Sequence, residues 1–116
     1  MHVQVNTDND TPGREDLVER VQQMITDQFG RFAVHLTRVE VHIGDVNAGK
    51  SGPDDKRCMI EARPTNHAPI AVTHQAESVK LALTGAMSKA KAALDNALAK
   101  RTDHKGAPSI RTADVA

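Results

Sequence analysis

Aromatic side chains are nearly missing from this chain: Phe29 and Phe32 are the only ones in 116 residues, with no Trp and no Tyr. A reader of single-stranded RNA needs exposed rings on which bases stack, so that class of binder is excluded. Cysteine is scarce as well. Cys58 stands alone, so an intrachain disulfide and a cysteine-based metal site are both ruled out. Net charge is absent, since fifteen Lys and Arg balance fifteen Asp and Glu. A generic polycation is therefore excluded, and any grip on nucleic acid must come from cations clustered on one face. No apolar run approaches the length of a membrane span, and the first residues lack a basic stretch followed by an apolar one. A soluble cytoplasmic protein with no membrane partner is expected.

The length suits one domain with a modest core. His2 to Thr7 alternates, with Val3 and Val5 on one side and Gln4 and Asn6 on the other, and reads as a half-buried strand. Thr11-Pro12 marks a turn into a helix, along which Leu17, Val18, Val21, Met24, Ile25, Gln28 and Phe32 recur at helical spacing. Gly30 is a stop or a kink. Period two returns over residues 36–45, with Val39, Val41 and Ile43 inward, then over 56–63, with Cys58, Ile60 and Ala62 inward, and over 69–75, with Ile70 and Val72 inward. From Glu77 to Arg101 the residues Val79, Leu83, Ala86, Met87, Ala90, Leu94, Ala97 and Leu98 form one helical stripe in an alanine-rich background. Glu77 or Ser78 is placed near its cap. Residues 102–116 show no periodicity and are expected to be a flexible tail beyond a domain of residues 1–101.

The order is β-α-β-β-β-α. A single crossover helix makes the first two strands parallel, and hairpins make the later ones antiparallel. Each strand has one apolar face, so both helices should cover the same side of the sheet. The expected fold is α+β, a two-layer sandwich of a four-stranded sheet with two helices on one face.

Three motifs invite chemistry. Gly44-Asp45-Val46-Asn47-Ala48-Gly49-Lys50-Ser51 matches G-x-x-x-x-G-K-[ST] letter for letter after a strand. A phosphate loop must open a helix at this point, whereas Gly52-Pro53-Asp54-Asp55 and a further strand follow here. A small nucleotide hydrolase using Gly49, Lys50 and Ser51 is the enzymatic rival, and the loop reads better as a Gly-rich hairpin connection. A calcium loop beginning at Asp45 fails, because its glycine is misplaced and its twelfth residue is Lys56 rather than Glu. His42 and His74 both lie on strands, but no third ligand accompanies them. No catalytic, metal or cofactor site and no small-molecule substrate is expected, and Cys58 reads as a buried hydrophobe.

The remaining signal is basic. Eleven residues advance a helix by close to three turns, so Lys89 and Lys100 share one edge of the second helix and Lys80 and Lys91 share the other. Arg101 closes its end. On the first helix Glu15, Asp16, Glu19 and Asp27 dominate the exposed side. The plain interpretation is lysines snorkelling along an apolar stripe and complementing the helix dipole. The functional interpretation is a phosphate-binding patch.

Several segments resemble the ribosome hibernation and ribosome-associated translation inhibitor family: Val3-Gln4-Val5-Asn6-Thr7-Asp8, Gly13-Arg14-Glu15, Thr37-Arg38-Val39-Glu40-Val41-His42, and Val72-Thr73-His74 with the long helix after it. Residues 52–64, Gly-Pro-Asp-Asp-Lys-Arg-Cys-Met-Ile-Glu-Ala-Arg-Pro, resemble one proteobacterial branch of that family. The resemblance spans about residues 2 to 101 and implies the short form. It implies a fold similar to double-stranded RNA-binding domains, no enzymatic activity, and lodging on the small ribosomal subunit in the channel of messenger and transfer RNA under stress or in stationary phase. Lys89 and Lys100 fall where the family's second helix is usually basic, and the candidate rRNA contacts are Lys80, Lys89, Lys91, Lys100 and Arg101, with Lys56, Arg57 and Arg63 from the third strand. Ala92 and Asn96 stand where further basic residues are usual. The other rival is a protein-interaction module of the same fold that uses the bare sheet face and binds no RNA.

Overall fold

A computed structural model describes residues 1–7, 14–45 and 56–106, apart from the side chains of residues 14 and 100–106. The expected turn before the first helix, most of the 44–51 loop and the end of the tail lie outside this range. The elements are β1 (His2–Thr7), α1 (Arg14–Gln28), a 3-10 helix (Gly30–His35), β2 (Leu36–Asp45), β3 (Lys56–Pro64), β4 (Ile70–Ala76) and α2 (Val79–Gly106). The sheet has four strands in the order β1-β2-β3-β4. β1 runs parallel to β2, with Val3 beside Val39 and Val5 beside Val41. β2–β3 and β3–β4 are antiparallel, with Val41 opposite Ile60 and Ile60 opposite Val72. This is the α+β sandwich that alternation and connection rules require.

The core lies between the sheet and the helix layer. Val39, Val41, Ile43, Cys58, Ile60 and Ala62 supply its lower side, and Val21, Ile25, Ala86, Met87, Ala90 and Leu94 cover it. Phe29 and Phe32 close one end, their rings edge to face with centroids 6.2 Å apart. Gly30 acts as a kink: α1 ends at Gln28, and the chain passes into the 3-10 turn, where Phe32 N–H donates to the Phe29 carbonyl at 2.9 Å. Such tight turns often finish a helix. In the β3–β4 turn Asn66 sits at φ 59°, a left-handed conformation that asparagine tolerates better than most residues.

α2 starts on a capped turn, with Leu81 N–H donating to Ser78 Oγ at 3.2 Å, which fixes Ser78 as the capping residue. It continues to Gly106, five residues beyond the end expected at Arg101. Its 28 residues span roughly 42 Å. Among the described side chains Leu94 is the last that is fully buried, and Leu98 still packs against the core.

The fit of α2 over β4 is close at one point. A Cβ built at Gly85 would fall on the imidazole ring of His74. Gly85→Ala would ordinarily strengthen a helix by about 1 kcal/mol. Overpacking here costs about 1–3 kcal/mol, so net destabilisation is expected in urea denaturation. In the His74→Ala background the same change should stabilise, and that reversal of sign identifies the ring as the obstacle.

Candidate nucleic-acid interface

The solvent side of α2 is built mostly from small uncharged residues, with exposed Asp95 among them. Thr84, Ser88, Ala92, Asn96 and Ala99 are all exposed and line up along the helix, with Leu81 at 49 % exposure at its start. Lysines flank this ridge on both sides. Lys89 leans toward β4, where Nζ donates to the Thr73 carbonyl at 2.9 Å. Lys91 leans toward α1, where Nζ donates to Gln28 Oε1 at 2.7 Å. Lys80 lies on the same side as Lys91, at the rim of a groove between the two helices. Lys89 and Lys91, one from each edge read from the sequence, thus face different neighbours. Both of these lysine contacts are exposed, so exchanging them for a phosphate costs little. Lys100 and Arg101 belong to α2, and their side chains lie outside the described range.

The groove between α1 and α2 measures about 350 Å³ and is lined by Leu17, Val21, Met24, Val79 and Leu83, with Arg20 and Lys80 beside them. Arg20 was hidden in the sequence by the acidic residues around it. Its signal was its spacing, three residues after Leu17 and four before Met24, which sets it on the rim of the apolar stripe facing α2. Further along, Asp95 interrupts the basic row. It holds Arg31 at 2.7 Å, and that hydrogen bond keeps its carboxyl below the usual range. Arg31 also lies 4.1 Å over the Phe32 ring, so this pair ties the 3-10 turn to α2.

The strand candidates sit elsewhere. Arg57 and Arg63 alternate with Cys58 and Ala62 and project from the face opposite the helices. Arg63 reaches Glu61 at 3.0 Å and Glu40 at 4.0 Å, and Arg38 reaches Glu40 at 2.9 Å. Arg38 also donates to Gln4 Oε1, and His42 stands 3.4 Å from both Glu40 and Asn6. Two glutamates thus neutralise much of the sheet-face cation charge. Lys56, at the strand end, is paired with Asp45 at 2.7 Å. The eight basic candidates consequently do not share one surface: Lys80, Lys89 and Lys91 belong to the helix layer, Arg57 and Arg63 to the opposite face.

His42 and His74 are separated by the same alternation. His42 sits with Glu40 on the open face, and His74, opposite Cys58, faces Gly85 of α2. Among the described residues no group of three or more His, Cys, Asp or Glu side chains could hold a metal ion. Cys58 is fully buried, and that burial pushes its thiol up to about 12. The 44–51 motif joins β2 to its antiparallel neighbour β3, which begins five residues after Ser51, where a phosphate loop requires a helix. Among the described residues no helix is long and apolar enough to cross a membrane.

No protein-family profile matches the chain. No curated protein sequence matches it either. Solved structures do match. A ribosomal subunit interface protein from Coxiella burnetii superposes with a TM-score of 0.62 at 12 % identity, over 85 % of this chain and 99 % of that one. The N-terminal domain of Protein Y from Thermus thermophilus superposes with a TM-score of 0.58 at 16 % identity, over 83 % of this chain and 98 % of the other. At these identities the likeness establishes a shared βαβββα fold.

Proposed function

We propose that the chain is a non-enzymatic hibernation factor that lays its helix layer on the rRNA of the small ribosomal subunit and blocks translation by occupancy. The observation that supports this reading is the solvent face of α2, a ridge of mostly small side chains between two lysine edges, broken by one acid, Asp95, which is paired with Arg31. Small residues let the helix approach a phosphate backbone closely, and lysines on either side supply contacts that position without reading bases. The scarcity of aromatics fits recognition of this kind. The fold shared with a ribosomal subunit interface protein supports the choice of ribosome over other nucleic acids. Lys80, Lys89 and Lys91 are the leading contacts, Lys100 and Arg101 extend them along α2, and Arg20 joins them across the groove. Arg57, Arg63 and Lys56 rank lower, because carboxylates already hold Arg63 and Lys56 and the sheet face points away.

Purified protein is expected to pellet with isolated small subunits and to inhibit a reconstituted translation reaction at stoichiometric levels, without hydrolysing ATP or GTP. Failure to pellet at low salt would remove the ribosome from the account. Nucleotide turnover lost on Lys50→Ala would restore the enzymatic alternative.

A further inference from the structure

The two edges of the sheet are treated differently. Each edge strand has a helix over it, but at β4 the helix also reaches the strand backbone, where Lys89 donates to the Thr73 carbonyl. At β1 no described residue outside the sheet bonds to the strand backbone. The strand His-Val-Gln-Val-Asn-Thr carries no Lys, Asp, Glu or Pro, the residues with which proteins normally guard an edge. Val3 and Val5 are only half-buried there. A second oddity lies directly above. Of the apolar side chains described on α1, Leu17, Val21, Met24 and Ile25 pack on the core, and Val18 does not. On the helical wheel Val18 falls on the flank opposite Arg20, away from the α2 groove and toward the β1 edge.

We propose that this edge pairs with the same edge of a second copy of the chain, antiparallel about a two-fold axis through Gln4, joining two four-stranded sheets into one. The strand is self-complementary in that register. Gln4 meets Gln4, Val3 meets Val5 on the helix side, and His2 meets Asn6 on the open side, so every pair is like with like in polarity and none is charged. A two-fold contact requires this kind of self-matching patch. The two α1 helices then lie side by side across the axis, and their Val18 side chains enter the seam between them. The contact uses neither α2 nor its lysines, so it stands or falls apart from ribosome binding. One short strand and one helix flank make a small interface, so the association should be reversible.

Sedimentation velocity of the full chain over a concentration series tests this, together with two variants. The wild type should pass from monomer to dimer as concentration rises. Val18→Lys should shift it back to monomer with a thermal melt lowered only slightly, since Val18 is half-buried and outside the core cluster. Gln4→Cys should yield a disulfide-linked dimer under mild oxidation by copper phenanthroline. Residues directly opposite in an antiparallel pair have Cα atoms roughly 4.5–5.5 Å apart, within disulfide reach. Gln75→Cys, on the exposed side of β4, should not link, and Cys58 is fully buried and gives no background. A wild type that stays monomeric at every concentration overturns the proposal. So does a dimer that ignores Val18→Lys and links through residue 75 instead of residue 4.

Discussion

Replacing Phe29 by alanine is expected to destabilise the domain by about 3–5 kcal/mol, the usual cost of emptying a large buried aromatic site. Domains of this size hold only about 5–15 kcal/mol in total, so much of the margin would go. The effect should be this large because the chain has so few bulky side chains. Phe29 is the largest of the fully buried side chains, with Phe32 nearly as buried beside it. It sits where α1 gives way to the 3-10 turn, with its N–H bonded to the Ile25 carbonyl at 2.8 Å and its ring against Phe32. The α2 side of the core is largely alanine, namely Ala82, Ala86 and Ala90, and alanines cannot swing into a vacated space. The midpoint of thermal unfolding should drop by on the order of 15 °C or more. Phe32→Leu, which keeps most of the volume, should cost well under half as much. A Phe29→Ala loss below about 1 kcal/mol would mean that this end of the core is looser than the burial indicates.

Ribosome binding should be lost steeply as salt rises, and Lys89 and Lys100 should account for part of the slope. Each neutralised phosphate releases condensed counterions, which adds roughly 0.7–0.9 to the slope of log affinity against log salt. Changing both lysines to alanine should therefore make the slope shallower by roughly 1.4–1.8 and weaken binding most at low salt. Folding should scarcely change. Lys89 is exposed and its bond to the Thr73 carbonyl is open to water, so its stabilising share is at most about 1 kcal/mol. Glu15→Gln with Glu19→Gln is the control. Both side chains are exposed on α1, away from the α2 ridge, and their neutralisation should not weaken binding. Equal slopes for the wild type and the lysine variant would remove α2 from the interface.

The fold was legible because its alternation was clean. Residues 36–45 form β2 with the bounds that period two assigns, since valine and isoleucine alternate with charged residues until Asp45. The far end of α2 was not legible. Past Leu98 the apolar stripe stops, and Thr102-Asp103-His104-Lys105 gives no periodic cue, yet a helix already 23 residues long at Arg101 propagates without a new nucleus. His74 could have been placed from its phase: with Ile70 and Val72 inward, the residue two further on must also face α2. Only the backbone shows why Gly85 lies opposite it. The lysine edges of α2 were visible on the wheel, because a helix maps sequence to surface without reference to anything else. The separation of Arg57 and Arg63 from those lysines follows from alternation, since Cys58, Ile60 and Ala62 face the helices, but the approach of Glu40 to Arg63 needed the cross-strand register. Val18 looked like core by spacing alone. Its position on the outer flank of α1 depends on which strand the helix covers.

The face turned toward rRNA can be identified by attaching a photo-reactive group to one residue at a time and mapping the cross-linked nucleotides by primer extension. Labelling can be specific, because Cys58 is fully buried with its thiol pushed up to about 12, so an introduced cysteine is the group that reacts. Ser88→Cys places the probe in the middle of the α2 ridge, and Ala71→Cys places it on the exposed side of the sheet. With small subunits bound, the probe at position 88 should cross-link to rRNA at defined nucleotides, and the probe at position 71 should not. Cross-links from position 71 with none from position 88 would contradict the account and assign the interface to the sheet.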